Sequence, residues 1–103
     1  MGFHIRHRYG EMERNPNRTA FVALLQELDQ GPEDKEHGSV GVTHESEWDI
    51  SVARGGYVTF ENLEENSPRH MLNIGKCKII ELWSLLADGD LEAIEREPWE
   101  PGY

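Results

Sequence analysis

Apolar and polar positions alternate with period two over residues 3–9: Phe3, Ile5, His7 and Tyr9 fall on one side, His4, Arg6 and Arg8 on the other. That period predicts a half-buried strand, because successive side chains of an extended backbone point to opposite faces. A polar link follows, Glu11 to Arg14, and Asn15-Pro16 then opens a different rhythm. Ala20, Phe21, Leu24, Leu25 and Leu28 recur at helical spacing until Gly31-Pro32 stops them. Asn is a strong helix cap, and Pro suits the first helical position, where its missing N–H had no partner anyway. A helix over 16–29 is predicted, then a charged, solvated loop over 31–38.

Three short alternating stretches come next. Val40 and Val42 alternate with Ser39, Gly41 and Thr43; Trp48, Ile50 and Val52 with Asp49 and Ser51; Val58 and Phe60 with Tyr57, Thr59 and Glu61. Gly55-Gly56 supplies the positive φ angles of a tight hairpin turn. Together these predict an antiparallel meander with one apolar and one polar face. Residues 62–70 read as a second polar link. From Lys76 the stripe Ile79, Ile80, Leu82, Trp83, Leu86 and Ala87 predicts a long helix ended at Gly89, with Asp90 capping a short helix over 91–96. The tail 98–103, with Pro98 and Pro101, should lie extended, its aromatics Trp99 and Tyr103 folding back onto the core. The order β-α-β-β-β-α predicts an α+β fold: a mostly antiparallel sheet of about four strands with two main helices packed on one face.

The chain has 103 residues, which suits a single domain over 1–103. No stretch resembles a membrane span: the longest apolar run, Ala20 to Leu25, is far short of the roughly 20 residues required. The first residues lack the apolar core of a signal peptide, so a cytoplasmic location is expected. Net charge is −10 and unevenly spread. Residues 1–20 carry four basic and two acidic residues, whereas the last 23 carry seven acids and one Arg. The acidic balance argues against nucleic acid as a direct ligand, since phosphate contacts need basic surface. It favours a basic protein partner, drawn in by long-range attraction.

Catalytic chemistry has little to stand on. His4 and His7 fall on opposite faces of a strand, and the lone cysteine, Cys77, reads as a buried structural residue near the start of the long helix. No glycine motif for phosphate is present. A small metal-dependent enzyme using His44, His70 and nearby carboxylates is the rival reading, and a homo-oligomeric structural protein is another. No cofactor is expected. The polar sheet face is the more informative surface: with Asp49, Tyr57, Thr59 and Glu61, joined by Glu92, Glu95 and Glu97 from the acidic end, it makes a candidate partner-binding set.

Several stretches of the second half, Val58-Thr59-Phe60-Glu61-Asn62 through Arg69-His70-Met71, then Leu82-Trp83, Ala87-Asp88-Gly89-Asp90-Leu91 and Pro98-Trp99-Glu100-Pro101-Gly102-Tyr103, resemble small bacterial proteins. Those proteins are similar to immunity proteins that accompany polymorphic or contact-dependent toxins. The resemblance spans about residues 39–103. It implies a cytoplasmic, non-enzymatic inhibitor that occludes a basic toxin or nuclease domain, and it assigns no contact residues.

Overall fold

The computed structural model describes residues 2–7, 12–14, 19–27, 39–53, 56–62, 64 and 68–102. Seven strands and three helices follow one another along them: β1 (Phe3–Arg6), β2 (Met12–Arg14), α1 (Ala20–Glu27), β3 (Ser39–His44), β4 (Trp48–Ala53), β5 (Tyr57–Asn62), β6 (Arg69–Met71), α2 (Lys76–Ala87), α3 (Leu91–Glu95) and β7 (Glu100–Pro101). The strands form one sheet in the order β2-β1-β3-β4-β5-β6-β7, every neighbouring pair antiparallel.

The α+β class and the three-strand meander are as expected, but the sheet is larger than the four strands anticipated. Two of the extra strands, β2 and β6, lie where the sequence reads as polar linker, and the third, β7, lies in the tail that was expected to be extended. Met12–Arg14 is exposed throughout and pairs on β1; Arg69–Met71 pairs on β5; Glu100–Pro101 closes the far edge on β6. An edge strand pairs through its backbone and buries little, so it needs no apolar alternation. The first strand ends at Arg6, and its continuation through Arg8 and Tyr9 lies outside the described residues, as do the Asn15-Pro16 cap and the end of the first helix beyond Glu27.

One face of the sheet carries the core. Ile5, Val40, Val42, Ile50, Val52, Val58 and Phe60 meet Phe21, Leu24 and Leu25 of α1 and Ile79, Leu82, Trp83 and Leu86 of α2. Trp83 sits at the centre, fully buried, its indole N–H donating to the carbonyl oxygen of Ile50 at 3.0 Å. Phe21 lies 5.7 Å from it, and Phe3 5.9 Å beyond Phe21, so a line of tilted rings joins both longer helices to the first strand. Such tilted pairs are preferred over face-to-face stacking. Towards the other edge Phe60 stacks on Trp48 at 4.7 Å and takes Trp99 of the tail at 5.0 Å. Trp99 donates to the carbonyl of Ile94 at 2.8 Å, so this aromatic does fold back as expected; Tyr103 lies outside the described residues.

The helix ends show why the chain turns where it does. Gly89 has φ +76°, and its N–H bonds the carbonyl of Leu86 while that of Asp90 bonds Leu85. This paired closure satisfies carbonyls that the last helical turn leaves open. Asp90 then caps α3 by accepting from the Ala93 N–H at 3.2 Å. Gly56 is required twice: its φ is +80°, and a Cβ there would lie 2.5 Å from the Ile74 carbonyl oxygen. That close approach lets the Ile74 N–H bond Gly56 O at 3.0 Å, seating the lead-in to α2 against the β4–β5 turn. Cys77, expected to be buried, is exposed in the first turn of α2.

His7, just past β1, joins three elements. Its Nδ1 meets Glu27 of α1 and its Nε2 meets Glu13 of β2, both at 2.6 Å. Burial disfavours the charged ring, but hydrogen bonds and attraction from the two carboxylates outweigh it and raise the pKa above 6.5. The contribution to stability is therefore fully present below pH 6.5 and lost as pH rises through the higher folded-state value. Denaturant titrations just below pH 6.5 and in mild alkali should show this loss in the wild type and much less of it in His7→Gln; equal slopes in both proteins would remove the clamp from the account. Trp83→Ala should cost about 3–5 kcal/mol by the same measurement, from lost burial plus the cavity left behind.

Candidate functional site

The face opposite the helices is polar, and no described helix packs on it. Strand pairing sets its rows. His4, Thr43, Asp49 and Glu61 lie side by side across β1, β3, β4 and β5. The next row runs Arg6, Gly41, Ser51, Thr59, His70, Glu100 out to β7. Period two along each strand puts these residues on this face because the intervening ones fill the core.

A hydrogen-bonded chain runs across the middle strands. The Arg6 guanidinium donates to Ser51 Oγ at 2.8 Å, the Ser51 hydroxyl donates to Asp49 Oδ2 at 2.6 Å, and the Thr43 hydroxyl donates to Asp49 Oδ1 at 2.7 Å. Gly41 makes the reach across β3 possible, since a Cβ there would stand 3.0 Å from Arg6 Nη2 and 3.1 Å from Ser51 Oγ. Asp49 is only 2% exposed and Thr59 8%. The expectation that both present themselves to solvent is therefore corrected. β4 is the central strand of seven, with Thr43 and Glu61 flanking Asp49 on either side, and the carboxylate accepts from the Thr43 and Ser51 hydroxyls.

Tyr57 and Glu61 are half-buried and remain accessible. With Ser39, Ser51, Ala53 and Thr59 they line a hollow of about 230 Å³. The Tyr57 ring stacks parallel on His70, centroids 5.6 Å apart. His70 in turn donates from Nδ1 to the carbonyl of Gly102 at 2.8 Å, so the tail braces the aromatic wall. His70 itself gave no sign of this in the sequence, where it lay in a link. The signal that would have found it is the antiparallel spacing that sets residue 70 across from Thr59.

The acidic set divides. Glu95 pairs with Arg69, which lies over the Phe60 ring at 4.9 Å on the helical side of the sheet. Glu97 takes the Lys78 ammonium at 2.8 Å, and Glu92 of α3 meets Arg96, the residue capping that helix, at 3.4 Å. These three carboxylates each sit against a cation.

The histidine pair of the rival reading also separates. His44 ends β3 on the helical side, whereas His70 lies on β6 on the opposite face. Three strand spacings, roughly 14 Å, lie between their strands. Among the described residues no cluster of three or more His, Cys, Asp or Glu side chains is placed to hold a metal ion, and no helix is long and apolar enough to cross a membrane. No protein-family model, curated protein or solved structure matches the chain.

The buried carboxylate gives a direct check on this geometry. Asp49→Ala leaves the Thr43 and Ser51 hydroxyls without their acceptor, which should cost about 1–3 kcal/mol in a denaturation experiment. A variant as stable as wild type would show that the network contributes nothing.

Proposed function

We propose that the chain is a non-enzymatic protein-binding module, working as an immunity or antitoxin-like inhibitor that covers a basic toxin or nuclease domain. The observation that carries this reading is the sheet face on which no described helix packs, where an accessible aromatic and Glu61 border a shallow hollow over a strand network whose side chains are already bonded to one another. A surface held this way loses little conformational freedom on docking, so more of the contact energy appears as affinity. Buried aromatics anchor interfaces more often than their numbers suggest. The net charge of −10 selects for a basic partner and speeds encounter at low ionic strength. Contact is assigned to Tyr57 and Glu61, which border the hollow, while Asp49 and Thr59 support them from within the sheet. The site of action for such an inhibitor is the cytoplasm.

The test is capture from lysate of the source cells on immobilised wild-type protein, beside a Tyr57→Ala/Glu61→Lys variant, at low and high salt. The expected result is one basic protein held by the wild type, weakened by salt and absent from the variant, with both proteins melting alike. Equal retention by both would move the interface elsewhere. An empty wild-type column at both salts would overturn the partner reading.

A further inference from the structure

The open sheet face differs from one edge to the other. Residues paired across strands share a face, so β2 adds Met12 and Arg14 to the side that carries His4 and Arg6 of β1. At the far side the same face carries Glu61 of β5 and Glu100 of β7. Among the described residues this face is therefore basic along one edge and acidic along the other. Its two edges are also its accessible parts. Arg14 is exposed and pairs with no described residue, and Met12 beside it is 66% exposed. Glu100 is exposed, with His70 Nε2 3.5 Å away. Between the edges the surface is low. Ser39 and Gly41 of β3 and Ser51 and Ala53 of β4 are small, and the Asp49 carboxylate is already bonded by two hydroxyls.

Such a face complements itself. A two-fold axis lying over β4 and parallel to it sets β2 of one copy on β7 of the other, β1 on β6 and β3 on β5. Unlike charges then meet at both edges, Arg14 of each copy against the strand that carries Glu100 of the other. Tyr57 shares its row with Ala53 and Ser39, so the same axis lays its ring over Ser39 of the other copy, where the hollow of about 230 Å³ has room for it. A two-fold across the strands would instead lay β2 on β2 and β7 on β7, like charge on like. We propose that the open face pairs with the same face of a second copy, in a dimer whose axis runs along β4. The small residues of β3 and β4 permit the separation of about 10 Å at which sheets pack. The net charge of −10 on each copy opposes approach. That charge is spread over the chain and screened beyond roughly 8 Å at physiological salt, whereas the complementary edges meet in contact. The dimer does not rest on the partner proposed above, but it covers Tyr57 and Glu61, so a second copy and that partner exclude one another.

The experiment is analytical ultracentrifugation of the purified chain alone, from low micromolar to near-millimolar concentration. The wild type should pass from monomer to dimer as concentration rises. Arg14→Glu and Glu100→Arg each set like charges against one another at both edges, and each should weaken the dimer about tenfold because the change acts twice across the axis. Both positions are exposed, so the fold is kept. An equal mixture of the two variants should dimerise again, since every edge contact between unlike variants joins opposite charges. A wild type that stays monomeric throughout would overturn the proposal. So would a dimer that either reversal leaves unchanged, or a mixture that regains nothing. None of these outcomes depends on capture of a partner from lysate.

Discussion

The indole of Trp83 on the carbonyl of Ile50 is the contact on which the rest of the molecule depends. It ties α2 to the central strand at a place where the chain is wholly buried, and Phe21 brings α1 to the same point. Because side chains alternate along β4, setting Ile50 into the core also decides which way its neighbours point. Asp49 and Ser51 are turned onto the opposite face, within reach of Thr43 and Arg6. Apolar packing on one side of the sheet thus positions a polar network on the other.

Both faces of the sheet handle charge in the same manner, by local pairing. On the helical side Arg69 is held between Glu95 and the Phe60 ring, and Lys78 bridges α2 to Glu97. On the open side Asp49 is bonded by two hydroxyls, one of which accepts from Arg6. An acidic composition therefore does not translate into a uniformly negative surface, and the residues that define a site are fewer than the acids that a linear count supplies. What the excess acid does supply is long-range attraction and solubility, which depend on total charge rather than on particular contacts.

The elements that bury a face were legible in the sequence. Val40, Val42, Ile50, Val52, Val58 and Phe60 alternate because each must reach the same core, and the stripe from Ile79 to Ala87 has the spacing of a helix lying on it. The Gly89-Asp90 junction was legible too, since closing one helix and capping the next requires those residue types. The three edge and near-edge strands were not, because β2, β6 and β7 pair through backbone atoms that every residue possesses. The same blindness affected the site. Asp49 and Thr59 were assigned to the right face, but their burial follows from what stands beside them in neighbouring strands. That Glu95 meets Arg69, or that Tyr57 meets His70, depends on register between segments distant in the chain.

The strand order also has a kinetic meaning. β3, β4, β5 and β6 are neighbours in the sheet in the order in which they occur in the chain, so that meander assembles from short loops. Two pairings are different in kind: β1 with β3, separated by α1 and the segment after it, and β6 with β7, separated by α2 and α3. Closing long loops before their contacts form is what slows the folding of sheet proteins. The β1–β3 and β6–β7 pairings are therefore the two that carry the largest loop-closure cost in this topology, one at either side of the locally connected meander.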